Sequence, residues 1–179
     1  ANNKEINAYL RKGNANLGQL GFTDHSQAHC VQVAHQAGKI LKRLGYSEHE
    51  IELAKIAGYM HDIGNAINRT HHAEYGALLA NDLLKETNMS LEDRVTVISA
   101  IGNHDESTGS PEDVISAALI IADKTDVRRS RVRQKEKAAF DIHDRVNYAV
   151  TDSKLKIDEE KSVIALNLQI DENICSMYD

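Results

Sequence analysis

The sequence predicts an all-α fold, a helical bundle that ends in a small C-terminal β-hairpin. Three observations predict it. Proline occurs once, at Pro111, and aromatic residues make up only 4%, so the strongest helix breaker and much of the usual strand-forming material are scarce. From Ser26 onward apolar residues recur at helical spacing, punctuated by serine caps and glycine stops. The tail alone switches to period two. At 179 residues the chain is long enough for one domain with a substantial core and short for two.

The elements follow in order. Ile6, Leu10 and Leu17 lie at loosely helical spacing over Lys4 to Leu17, and Gly18 and Gly21 break the segment. From Ser26, the stripe Cys30, Val33, Ala34, Ala37, Ile40, Leu41 and Leu44 predicts a helix closed by Gly45. Ser47 with Glu50 three residues on is a capping box; it opens a helix through Ile51, Ala54, Ile56 and Met60 that is expected to end near Gly64. After a polar loop, Tyr75, Leu78, Leu79 and Leu83 mark a helix from His71 to about Glu86. Ser90 caps the next, with Leu91, Val95, Ile98 and Ile101 leading to Gly102-Asn103. Ser110-Pro111 reads as a cap with proline at the first helical position. The helix it opens, apolar nearly all round from Val114 to Ala122, is expected to be the central buried one. A basic stretch and a last helix, Ala138 to Val150, complete the bundle. Then Leu155 and Ile157, and Ile164, Leu166, Leu168 and Ile170, alternate with polar or small residues on either side of Asp158–Ser162, the pattern of a hairpin. The expected organisation is a helical domain over residues 1–150 with a hairpin appendage over 151–179. A lone hairpin is marginal in water, so it is expected to pack on the helices or on a partner chain, as in a homodimer.

Composition narrows the function. Hydrophobic residues at 41% and charged residues at 27% are ordinary for a soluble globular protein. A formal charge of −6 argues against a broad basic face for polymeric nucleic acid, but not against a small phosphate ligand, because a bound metal can dominate the local field. Cys30 and Cys175 are too few for a disulfide framework and read as reduced thiols, with a cytoplasmic location expected. The longest strongly apolar run, Val114 to Ala122, is far too short to span a bilayer, so no membrane partner is expected. Neither end carries an obvious terminal signature, as in a trimmed piece of something longer.

Nine histidines stand in this acidic chain, and their placement matters more than their number. His29 lies in the first long helix, His61-Asp62 closes the second, His72 opens the third, His104 ends the fourth and Asp123 ends the fifth. Each candidate thus belongs to a different helix, and facing helices of a bundle are where metal sites are commonly assembled. Imidazoles with carboxylates suit divalent Mn, Fe, Co, Ni, Zn or Mg, and the lack of sulfur ligands argues against a structural zinc. Each residue also has a plainer reading. His29 could simply pack, and His72 and His104 could be polar residues at helix boundaries. His61 could be a cation at a helix C-terminus. Asp123 is harder to explain that way, since an acid at a helix C-terminus opposes the dipole.

At these residues the chain resembles the HD-domain superfamily of phosphohydrolases. The matching stretches are His29-Cys30-Val31-Gln32-Val33-Ala34, Gly58-Tyr59-Met60-His61-Asp62-Ile63-Gly64 and Ile120-Ile121-Ala122-Asp123-Lys124. The resemblance covers roughly Asp24 to Arg133 and implies that His29, His61, Asp62 and Asp123 hold metal. Some members hold two ions through two further histidines, whose places His72 and His104 occupy. His71 is a rival for the first place; His72 is preferred because Glu74-Tyr75-Gly76-Ala77 follows it in family-like register. Through this second pair of histidines, the Thr108-Gly109 region and the Ala122-Asp123-Lys124 ending, the chain resembles in part the bacterial HD-type hydrolases of diadenosine tetraphosphate, which implies a nucleotide or dinucleoside polyphosphate as substrate. Where cyclic di-GMP phosphodiesterases carry Gly-Tyr-Pro this chain has Glu106-Ser107-Thr108-Gly109-Ser110-Pro111, which argues against that substrate, and where they tend to have lysine it has Asn65, which argues against that subgroup's lysine-assisted chemistry.

These ligand types imply a mechanism. Two divalent ions ~3.5–4 Å apart can share a carboxylate and a water, acidifying that water enough to supply hydroxide near neutrality. Asp62 is the candidate bridging, and so catalytic, carboxylate because it offers two oxygens. His29, His61 and Asp123 would complete one ion's shell, and His72 and His104 the other's. Asn103 and Asp105 are candidates for orienting His104 or the water. In the basic stretch Lys124, Arg128, Arg129, Arg131 and Arg133, the nearest cations, Lys124 and Arg128, are the candidate phosphate-binding residues, against the alternative of a solvated face. His25, His35, His49 and His143 are expected to be surface or packing residues, with Asp24 as a further N-terminal candidate. The expected function is metal-dependent hydrolysis of a phosphoester or phosphoanhydride bond in a small phosphorylated substrate. The resemblance also implies two alternatives: a di-iron oxygenase on the same ligand set, and a non-catalytic signalling or scaffold module.

Overall fold

A computed structural model describes residues 3–105, 107–133 and 142–175. Among them the chain forms α1 (Lys4–Gln19), α2 (Gln27–Arg43), α3 (Glu48–Met60), α4 (His72–Lys85), α5 (Leu91–Gly102), α6 (Val114–Lys124) and α7 (Ile142–Ala149). The strands β1 (Val150–Asp158) and β2 (Val163–Ile170) follow. The expected fold class, an all-α bundle with a C-terminal antiparallel hairpin, is the one observed.

Local chemistry explains most boundaries. Asn3 caps α1 by accepting from the Glu5 and Ile6 N–H groups, and Ser47 and Glu50 form the full capping box of α3. The expected start of α6 at Ser110-Pro111 is corrected: the helix begins at Val114, capped by the Asp113 carboxylate, which accepts from the Ser116 N–H at 2.8 Å. An aspartate already placed to satisfy an orphan N–H competes better than a proline, which only pre-sets φ. Likewise α3 stops at Met60, not near Gly64, and Ile63–Ala66 forms a separate 3₁₀ turn. Gly64 is required in that turn because a Cβ there would collide with the His72 carbonyl and the Gly76 N–H of α4. Of the last expected helix, Ala138 to Asp141 lie outside the described residues; the rest forms α7, and Val150 begins β1 instead.

The core joins α2, α3, α5 and α6. Cys30, Val33, Ala37, Ile40 and Leu41 of α2 pack with Ala54, Ala57 and Met60 of α3, Val97 and Ile101 of α5, and Leu119 of α6. Gly58 lets α2 and α3 cross closely, since a Cβ there would lie 2.8 Å from Ala34 Cα. The expectation that α6 is the central helix needs qualifying. Val114, Ala117, Ile120 and Ile121 are only half-buried, and α3, packed between α2, α5 and α6, shares that position.

In the hairpin, Val150 pairs with Ile170 and Asp158 with Val163, with a bulge between Val150 and Asp152. Leu155 and Ile157 of β1 pack against the core. In β2, Val163, Ile164, Leu166 and Leu168 are all exposed, so its alternation sets the strand without giving it a buried face. None of the helices among the described residues is long and apolar enough to cross a membrane.

Candidate metal centre

The crossing of α2 over α3 brings His29 beside His61, and the turn after α3 swings Asp62 toward α4 and α5. Four imidazoles and two carboxylates from distant parts of the chain then converge. His29, His61, Asp62, His72 and His104 are all buried, and the Asp123 side chain is 18% exposed, which makes it one of the cluster's openings to solvent.

Tautomer control runs through the whole set. The Nδ1 of His61 lies 2.8 Å from the Gly58 carbonyl, that of His72 3.1 Å from Arg69 O, and that of His104 2.6 Å from Ile101 O. Each acceptor is the carbonyl three residues earlier. The Nδ1 of His29 instead meets the Asp126 carboxylate at 2.6 Å. A carbonyl or carboxylate oxygen can only accept, so each ring keeps a proton on Nδ1 and turns its Nε2 inward, where an ion would take the place of any proton it carries.

The inward atoms fall into two groups sharing Asp62. His29 Nε2 lies 3.6 Å from Asp62 Oδ2 and 3.2 Å from Asp123 Oδ1. His61 Nε2 lies 3.4 Å and 3.7 Å from the same oxygens. Four ligands ~2.1 Å from one ion would be about 3.4 Å apart in a tetrahedron, so these spacings suit a single cation. On the other side, Asp62 Oδ1 is 3.8 Å from His72 Nε2, which is 3.2 Å from His104 Nε2. His29, His61 and Asp123 form one set able to hold a metal ion, and Asp62, His72 and His104 another. The Nε2 atoms of His29 and His61 and Oδ2 of Asp62 are buried without a hydrogen-bond partner, an unfavourable arrangement that a cation would relieve.

Electrostatics separates the two groups. Burial disfavours charge on His61, but Asp62 and Asp123 outweigh it and push that imidazole up to about 10. Despite burial, the neighbouring imidazoles hold Asp62 and Asp123 well below the usual carboxylate range. Across the cluster burial prevails: His104 is pushed down to about 4, and His72 is also lowered. Cys30 lies close enough to His61 and Asp62 to be a ligand. Its burial, with Asp62 and Asp123 nearby, raises the thiol well above its ordinary value, so it stays protonated and a poor ligand.

The other candidates are placed differently. Asp105 Oδ2 lies 3.5 Å from Nδ1 of His72, not beside His104. Asn103 turns away, donating to the Ser99 carbonyl at 3.0 Å. Arg128 is engaged by Asp126, donating at 2.5 and 3.1 Å to its two oxygens, and Lys124 lies exposed at the end of α6. His71 points outward to Glu74, leaving the inward place to His72. His35 is exposed and His49 pairs with Asp93 at the surface; the side chain of His143 lies outside the described residues. Asp24 holds its own loop, accepting from Ser26 at 2.6 Å and Asn14 at 3.2 Å. His25 does reach the site: its ring stands edge-on to His29 with centroids 5.4 Å apart, and burial pushes it down to about 4.

Sequence reasoning missed three contributors. Asp126, buried and one turn beyond Asp123, orients His29; its carboxylate is held near 2, against burial, by His29 and Arg128. Asn65 donates to Asp62 Oδ1 at 2.7 Å and so fixes the carboxylate. Arg69 supplies the carbonyl that orients His72. An acid or amide three residues after a candidate ligand was the available signal for the first two.

The chain matches the HD domain model over residues 27–149. It is similar to an uncharacterized protein of Methanocaldococcus jannaschii, 29% identical over 90% of this chain and 71% of that one. It is also similar to Ribonuclease Y of Aster yellows witches'-broom phytoplasma, 31% identical over 65% of this chain and 20% of that protein. Ribonuclease Y of Bacillus pumilus is 32% identical over 66% of this chain and 22% of its own length. The chain therefore spans about a fifth of these ribonucleases. No solved structure matches it.

Proposed function

The chain belongs to the HD-domain family of metal-dependent phosphohydrolases, and from that premise we propose that it hydrolyses a phosphoester or phosphoanhydride bond of a nucleotide, with dinucleoside polyphosphates as the first substrates to test. Its site would hold two divalent ions, one on His29, His61 and Asp123, the other on His72 and His104, with Asp62 able to serve both. The observation that carries this reading is the fixed orientation of all four imidazoles, each held through Nδ1, whose inward nitrogens gather around the two oxygens of one buried carboxylate.

Divalent ions supply Lewis acidity toward phosphoryl oxygens and acidify water enough for attack near neutral pH. The chain's own groups do the rest. Asn65 holds Asp62 so that one oxygen faces each histidine set. Asp126, with Arg128 behind it, keeps the His29 ring turned inward. Asp123 and Asp105 are the partly exposed carboxylates beside the cluster, at 18% and 22%.

Elemental analysis followed by phosphate release on a panel tests the reading. The panel comprises diadenosine tetraphosphate, mononucleotides, linear dinucleotides and, because relatives are named Ribonuclease Y, a short RNA. Two ions per chain are expected, with turnover of at least one small nucleotide lost on Asp62→Ala. Turnover that survives Asp62→Ala, or oxygen consumption without phosphate release in the iron-loaded protein, would overturn it.

A further inference from the structure

We propose that Arg69 grips a non-bridging oxygen of the substrate's phosphoryl group, the role sequence spacing gave to Lys124 and Arg128; this rests on the phosphohydrolase reading above. Arg69 lies in the loop between the 3₁₀ turn and α4. Its guanidinium Nη1 is 3.4 Å from Nε2 of His72, the atom that also faces His104 and Asp62. Among the described residues it is the arginine whose guanidinium touches a proposed ligand.

The other arginines near the site tie loops together. Arg128 holds Asp126. Arg131 donates to the carbonyls of Asp24 at 3.0 Å and Asp126 at 2.9 Å. Arg133 donates to the Phe22 carbonyl at 2.9 Å and to Asn14. The basic run is thus a clasp between the segment before α2 and the segment after α6.

Arg69 is arranged otherwise. Its backbone carbonyl, not its side chain, orients His72, so the ring keeps its place whatever the guanidinium does. That guanidinium, half-buried, lies over the Phe22 ring at 5.3 Å, which steadies the group without using its donors. Once the Nε2 lone pair of His72 engages an ion, Nη1 loses that acceptor. A fixed cation beside another cation then calls for an anion between them. A phosphoryl oxygen suits both neighbours, and the planar fork offers it paired donors.

The test compares wild type, Arg69→Gln and Arg69→Lys in the manganese-loaded protein, reading metal content, orthophosphate binding by calorimetry, and turnover. Both variants are expected to keep the wild-type metal content, because the orienting carbonyl remains. Orthophosphate should bind roughly tenfold to a hundredfold more weakly in Arg69→Gln, with Arg69→Lys between, and turnover should fall in the same order. Equal phosphate affinity in all three proteins, or no measurable binding to the wild type, overturns the proposal. So does loss of metal in both variants, which would make Arg69 structural. If the wild type binds phosphate through Arg69 yet hydrolyses nothing on the panel, the assignment of Arg69 stands and the hydrolase reading fails.

Discussion

The two halves of the candidate metal centre are built from the same imidazoles by different means. Around His29, His61 and Asp123, carboxylates dominate: Asp62 and Asp123 face inward, and Asp126 buttresses from behind. Around His72 and His104 both anchors are backbone carbonyls, as Gly58 is for His61, and the one inward carboxylate is borrowed. The first half attracts positive charge strongly enough to hold His61 at about 10, whereas the second leaves His104 at about 4. The halves should therefore differ in affinity: the first binds its ion tightly in exchange for a proton, and the second binds more weakly and fills later.

The largest effect should come from the residue that makes two halves one centre. Asp62→Ala removes an oxygen from each and is expected to lower turnover on the order of a thousandfold or more, with metal content falling toward zero by elemental analysis. His104→Ala sharpens the contrast. It should retain about one ion of the expected two, in the first half, whereas His61→Ala should cost both. If His104→Ala empties both halves equally, the centre is one cooperative unit and the comparison fails.

Next in size is Asp126→Asn. A carboxylate that orients a ligating imidazole is typically worth 10–100-fold in metal affinity, so competition with a chelator should show the first ion weakened by about that factor and the second unchanged. Little of this was legible in the sequence. The all-α class followed from caps, stripes and the scarcity of proline, and the candidate ligands from their placement on successive helices together with the HD-family resemblance. Asp126 and Asn65 escaped because each acts on a neighbour through tertiary geometry: Asp126 lies 97 residues from the histidine it orients. Arg128 misled for the related reason that closeness in sequence to Asp123 says nothing about which way its fork points. The hairpin was readable as strands, but only the packing of β1 on the core decided that β2 would be the exposed arm.

The proton states give a pH test. In metal-free protein His61 is raised, so its contribution to stability is fully present below about 6.5 and is lost as pH rises through about 10. His104 and His25 are lowered to about 4, so the unfolded chain binds their protons more readily and stability falls as pH drops from 6.5 toward 4. Urea melts of the chelated protein should show a maximum between these flanks, the acid flank amounting to a few kcal/mol. Calorimetry near pH 7 should register about one proton released on filling the first half and almost none on filling the second. Equal release from both would contradict the asymmetry.

The smallest effect lies in the turn that delivers His72. His71 adopts a left-handed conformation, φ 60°, which costs a residue with a Cβ roughly 1–2 kcal/mol, and its exposed side chain reaches Glu74. Glycine would relieve that strain but add about 0.5–1 kcal/mol of unfolded-chain entropy. His71→Gly should therefore leave stability within about 1 kcal/mol of wild type, on the stabilising side, by urea denaturation with metal content unchanged. A loss of a whole ion from this variant would mean that His71, and not His72 alone, serves the second half, and the division of labour between the adjacent histidines would have to be redrawn.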